Sequence, residues 1–291
     1  MKYKTSVYSD EKNYNTYRSL SKIGRAFVLL IPIIFFIIIV YPFIWMFLAS
    51  FKTTNEIFSN IWGLPGKWQF GNYIDAWKSG ISKYFLNSVI VTVATCLLNL
   101  IISCMFAFAL SAFEFKGKQI FYTIAISGLM FSPIVSLIPL YQEVQALHLY
   151  DSLLALILIY TAYQMPMSVM IIFSAFMSID HAFMDAAKID GCNSFKVLTA
   201  VFMPISKPIM LTSIVLTAFY AWNEFSFALT FIKTKIKMTI PIGLISFQGE
   251  MHTEWSVLLA GLVISAVPII VFFIFAQKYF VAGLNAGGVK G

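Results

Sequence analysis

A chain of 291 residues that is 59% hydrophobic and only 11% charged cannot cover itself with polar groups in water, where a domain of this size carries about 25% charged residues. That excludes one or two soluble domains and points to a single all-α integral membrane domain with lipid as its solvent. The net charge of +7 does not point to nucleic acid: Lys2, Lys4, Lys12, Arg18, Lys22 and Arg25 all precede the first apolar run, and no basic stripe interleaved with aromatics follows for bases to stack on.

Residues 1–25 are polar and read as a cytoplasmic tail. Residues 26–281 then hold six stretches that meet the requirement of about 20 apolar residues for a membrane helix: Ala26–Ser50, Tyr84–Phe113, Gln119–Tyr141, Leu153–Met177, Ile205–Ile232 and Ser256–Lys278. The first is too long for a signal-peptide core and reads as a retained span. Between the first two, Leu64-Pro65-Gly66 marks a turn. Ile74, Trp77, Ile81 and Phe85 follow at helical spacing, as a helix lying at the outer interface or packed on the bundle. Residues 282–291, with four glycines, read as a second tail. Pro32, Pro42, Pro133, Pro139, Pro166, Pro208 and Pro268 fall in or at the ends of spans, where each can kink a helix. Six spans put both termini on one side. A cytoplasmic N-terminus places 13 of the 20 Lys+Arg inside, as the positive-inside rule favours.

Little in the chain carries catalytic chemistry. No phosphate-cradling glycine loop, HExxH or GxSxG is present. The three histidines fall in three separate loops, so no metal site is expected. Cys96 and Cys104 share a span, and all three cysteines read as small buried residues. Nothing suggests an enzyme. Glu224 is the clear charge inside a span, beside Trp222 and Asn223, with Asn99 as a polar group in span two. An intramembrane carboxylate faces the bundle interior or a watery cavity. Two readings stay open for these four: a polar wall along a transport path, or hydrogen bonds between helices. Tyr160, Tyr163 and Tyr220 are either stacking platforms for sugar rings or packing.

The segment 178–204 stands apart from the greasy spans. Ser178 or Asp180 can cap a helix start, residues 181–190 give about two and a half turns, and Gly191 follows where a left-handed terminator belongs. Ala186 and Ala187 leave a low surface for another protein to approach. Asp185 and Lys188 are three apart and can pair. Phe195, Val197, Leu198, Val201 and Phe202 form a second apolar stretch, and Pro204 marks the junction with span five.

Asp185-Ala186-Ala187, then Gly191, then Val201-Phe202-Met203-Pro204 resembles the EAA loop of binding-protein-dependent ABC importers. SFKTTNEIF (50–58), NY (72–73), NS (87–88), IPLY (138–141), WNEF (222–225) and the terminal G-x-V-K-G (287–291) resemble the shorter, MalG-like permease subunit of maltose-type carbohydrate importers. The resemblance covers nearly everything after residue 25. It implies a six-span permease in a bacterial cell membrane and a cytoplasmic coupling helix in which Asp185, Ala186, Ala187, Asp190, Gly191 and Pro204 meet an ATPase. It also implies a MalF-like second permease, two ABC ATPase subunits that hold ATP and Mg, and an extracellular sugar-binding protein; this chain itself binds no cofactor. Three positions depart from the pattern: Asp185 stands where the family has Glu, Asp180 where it often has Pro, and Ala182 where it often has Glu. The rival reading is an ion-coupled secondary carrier, which needs intramembrane charges for its ion and often has repeat symmetry.

Overall fold

In a computed structural model, residues 22–247 and 254–287 are described. The expected N-terminal tail up to residue 21, His252 and residues 288–291 lie outside them. Every regular element among the described residues is helical. Among the described residues, four helices are long and apolar enough to cross a membrane, and two further pairs make a crossing only as bent helices. The chain divides into two compact units, one up to Gln69 and one from Phe70 onward.

The first unit holds α1 (Lys22–Ala49) and the short α2 (Thr54–Ser59). α1 carries the expected first span, with Pro32 and Pro42 inside it. Thr53 caps α2 by accepting from the Glu56 N–H. The loop then returns to its start, where the Gln69 N–H donates to the Phe51 carbonyl at 2.9 Å.

The second unit begins with α3 (Gly71–Ala76) and a widened helical turn over Trp77–Ile81, and continues as α4 (Ser82–Ala112), the second span. The junction kinks at Gly80, whose φ of 126° favours glycine. Of the two placements expected for this loop helix, Ala76, Ile81 and Tyr84 take the packed one, against Trp222, Ile240 and Leu244. Trp77 and Ile74 stay exposed. Gly243 allows this contact, because a Cβ there would lie 2.2 Å from the Tyr84 ring.

The third span is not the continuous helix expected over Gln119–Tyr141. It is α5 (Lys118–Ser127), a 3₁₀ turn over Gly128–Met130, and α6 (Pro133–Ala146), bent by 106°. The reason is local. Pro133 starts α6 without an N–H to give, and the residue before a proline is pushed out of the helical region; Ser132 is extended. Gly128 lies so close to α7 that a Cβ would come within 2.6 Å of Pro166. α7 (Leu153–Phe176) is the fourth span, with Ser152 capping it through the Ala155 N–H.

The fifth span is shorter than the expected Ile205–Ile232. α10 (Lys207–Asn223) ends where Glu224 turns extended, and α11 (Ser226–Phe231) follows as a separate helix. After α12 (Ile240–Ile245), α13 (Trp255–Gly287) supplies the sixth span and continues beyond the expected end at Lys278 into residues assigned to the tail.

Lipid tails are as apolar as leucine, so hydrophobicity alone does not hold membrane helices together; close packing of small residues does. α4 is built that way. Ser88, Thr92, Thr95, Asn99, Ser103 and Ala107 recur at three or four residues and are all buried, and the α4–α7 pair is the most extensive helix contact in the unit. Cys96 and Cys104 lie buried on α4, as small packing residues should.

Candidate functional site

The segment 178–204 folds as a tightly capped helical hairpin. The Asp180 carboxylate accepts from the Ala182 N–H at 3.0 Å, which settles the cap between Ser178 and Asp180. α8 (His181–Ile189) then closes with a complete Schellman motif. The Cys192 N–H reaches the Ala187 carbonyl at 2.9 Å and the Gly191 N–H reaches Lys188 at 3.0 Å, while Gly191 holds φ 79°. Two residues later Asn193 caps α9 (Ser194–Ile205) by accepting from the Lys196 N–H at 2.9 Å.

The hairpin has two faces. Met184 and Ala187 are buried with Cys104, Phe108, Phe176, Val197 and Phe202, so the hairpin is seated on the ends of α4 and α7. Phe183, Asp185, Ala186, Ile189, Asp190 and Gly191 are exposed. The two alanines therefore differ from expectation: Ala186 keeps the outer surface low, while Ala187 points inward and lets α8 approach the bundle. Asp185 and Lys188 stand 4.0 Å apart with most of both side chains in solvent, a pair worth about 0.2–0.5 kcal/mol. Pro204 is exposed near the end of α9. The 84° bend into α10 falls at Ser206, two residues further on, with Pro208 in the first turn of α10.

At the other break in span five, Glu224 does three things at once. Its Oε2 accepts from the Tyr160 hydroxyl at 2.6 Å and from the Ala228 N–H at 3.1 Å, and its Oε1 accepts from the Phe227 N–H at 2.8 Å. It joins spans four and five and satisfies the first free N–H groups of α11. It makes the interhelical bond that one reading of Glu224 expects and is half-buried.

The four expected path residues do not gather. Asn223 is exposed beside Glu224 and bonds to the Phe219 carbonyl of its own helix. Trp222 is buried, donating to the Ser265 carbonyl of α13 at 3.1 Å and packing edge-on to Phe85 at 5.8 Å. Asn99 is buried in the α4–α7 contact, donating to the Thr161 carbonyl at 3.3 Å. Sequence reasoning missed the Tyr160 partner and the Ser136–Tyr163 hydroxyl contact between spans three and four. It also missed a loop anchor at Asp151, whose carboxylate takes the Thr234 hydroxyl at 2.6 Å, the Lys233 and Thr234 N–H groups at 2.9 Å each, and Lys237 at 3.1 Å. These donors, the Thr234 hydroxyl foremost, hold Asp151 well below the usual carboxylate range. Residues 27 or more apart in sequence have no shared periodicity to betray such pairs.

A cavity of about 340 Å³ opens between α4, α10 and α13, walled by Val93, Leu97, Ala218, Trp222, Pro268 and Phe272. With so apolar a wall it offers a sugar almost nothing to bond. Among the described residues no group of His, Cys, Asp and Glu is placed to hold a metal ion.

This architecture has known counterparts. A family model described as the binding-protein-dependent transport system inner membrane component matches residues 99–285. The probable ABC transporter permease protein YurM of Bacillus subtilis (strain 168) is 48% identical over 269 residues, 92% of this chain and 90% of the relative. The arabinooligosaccharides transport system permease protein AraQ of Halalkalibacterium halodurans is 32% identical over 277 residues, 94% and 96% of the two chains. Among solved structures, a chain of a bacterial ABC transporter involved in the import of the acidic polysaccharide alginate superposes with a TM-score of 0.79 at 23% identity, covering 90% of this chain and 99% of that one. On its sequence, the chain belongs to the family of binding-protein-dependent transport system inner membrane components.

Proposed function

We propose that this chain is a permease subunit of an ATP-driven importer for a carbohydrate of the oligosaccharide class, in a bacterial cell membrane with both termini in the cytoplasm. The relatives named for sugar transport support the cargo, and the family description supports a binding protein on the outside. In this reading a second permease completes the pathway, and two ATPase subunits hydrolyse ATP outside this chain.

The observation that carries the mechanism is the two-faced hairpin. α8 presents Asp185, Ala186, Asp190 and Gly191 outward while Met184 and Ala187 seat it on the bundle. A helix capped at both ends resists unwinding, so a force applied to its outer face moves it as a body. The bundle then switches between two states whose balance is set by ATP bound elsewhere. In this scheme Asp185 meets a basic group on the ATPase, Gly191 lets the chain turn sharply beneath the docked helix, and Asn223 with Glu224 faces the sugar's path.

The test is uptake in proteoliposomes with the complete complex. Asp185→Ala and Gly191→Asp should each lower ATP-driven sugar uptake while insertion and assembly stay normal. Normal uptake by both variants would defeat the assignment.

A further inference from the structure

The loop after α1 has an exposed apolar tip. Phe58, Ile61, Trp62, Leu64 and Trp68 all stand exposed, Trp62 by 74% and Leu64 by 68%. From Ile57 to Gly66 the chain carries no charge. This tip does not stand out into water beyond the helix. The Trp45 indole N–H donates to the Ile61 carbonyl at 3.0 Å, and the rings of Tyr41 and Trp62 lie 5.9 Å apart. Tyr41 is eight residues in from the end of α1 at Ala49, so at 1.5 Å per residue the tip reaches back about 12 Å along the helix. The stretch it lies beside, Leu29–Ala49, has a mean hydropathy of 2.7 over 21 residues, about the length that spans the hydrocarbon core.

A loop at that depth must satisfy its own backbone, since lipid offers no partners. Side chains meet four of those backbone groups here. Lys52, only 1% exposed, donates its ammonium to the Asn60 carbonyl at 2.6 Å. Asn60 Oδ1 accepts from the Gly63 N–H at 3.0 Å, and Glu56 Oε1 accepts from the Gly66 N–H at 2.6 Å. The charged groups of Lys52 and Glu56 are turned to the backbone, and the apolar side chains are turned out. That is the reverse of a solvated loop.

We infer that the loop tip around Trp62 and Leu64 is a membrane anchor, inserted among lipid headgroups and upper acyl chains in the leaflet at the C-terminal end of α1. Its exposed surface continues the exposed apolar surface of that span, and Trp is suited to the interface because its ring has an apolar body and one polar N–H. The inference rests on the membrane span alone and not on the transport reading.

Spin labels test it in the assembled complex in lipid nanodiscs, with the three native cysteines replaced. Labels at Trp62→Cys and Leu64→Cys should collide severalfold more with oxygen than with a water-soluble nickel chelate, relative to a label at the exposed Asn55. A chelate response equal to that at Asn55 would put the tip in water and overturn the inference. Shielding from both reagents would mean that protein covers the tip, and would overturn it too. Unlabelled protein gives a second reading: lipids brominated near the headgroup should quench a fluorescence component that Trp62→Phe abolishes, and equal quenching in the two proteins would count against insertion.

Discussion

Glu224 meets three donors from two elements, and that arrangement fixes what its replacement should do. Tyr160→Phe removes the hydroxyl that bonds the Glu224 carboxyl, and Glu224→Gln leaves at least one donor poorly met; each should destabilise by about 1–3 kcal/mol. Because the two share one bond, the double variant should lose less than the sum, measured by unfolding in detergent as a double-mutant cycle. Strict additivity would show that the 2.6 Å contact contributes nothing. The acid was legible in the sequence because a lone carboxylate inside an apolar run needs a partner; which partner was not, since Tyr160 is one of 14 tyrosines. Asn99 shows the opposite limit. Its polarity was visible, and the stripe of small residues from Ser88 to Ala107 marks the packed face of α4, but the spacing within one helix does not name Thr161 of α7 as the partner.

At the scale of elements, spans two and four fall within a few residues of expectation, and span six starts one residue from it although its helix runs on to Gly287, because hydropathy over 20 residues measures what the bilayer requires. The breaks in spans three and five were hidden from that measure, which sums a window and is blind to direction. Proline did not reveal them either. Pro32, Pro42, Pro139, Pro166 and Pro268 sit inside continuous helices, whereas Pro133 and Pro208 begin new ones. Gly128 gives a test of the first break: Gly128→Val must displace Pro166 and should cost about 1–3 kcal/mol, read as a lower unfolding midpoint. No change would mean that α5 and α7 can part freely. The Asp151 anchor gives a test by pH. Its carboxylate is depressed in the folded protein, so its contribution is complete above the ordinary aspartate pKa of about 3.9 and is lost as pH falls through the lower folded value. The stability gap between wild type and Asp151→Asn should therefore be flat from neutral pH to about 4 and shrink below that. A gap that narrows already between pH 7 and 5 would contradict the depressed carboxylate.

For the molecule as a whole, the EAA-like spacing and the spread of basic residues predict a sidedness that labelling can read. In cysteine-free protein in right-side-out vesicles, Lys235→Cys should react with an impermeant thiol reagent directly, and Lys188→Cys only after permeabilisation. The reverse pattern would invert the topology and remove α8 from the reach of a cytoplasmic ATPase. Between those two faces runs α10. It is 17 residues long, about 25 Å, with an 84° elbow at Ser206 below and the Glu224 break above. A stiff rod jointed at both ends behaves as a connecting rod: it passes tilt from one bearing to the other without flexing between them. The hydrogen-bonded length of α10 need not be remade for one end to answer the other, so under the proposed transport cycle the shape change would fall on the two joints, Ser206 and Glu224.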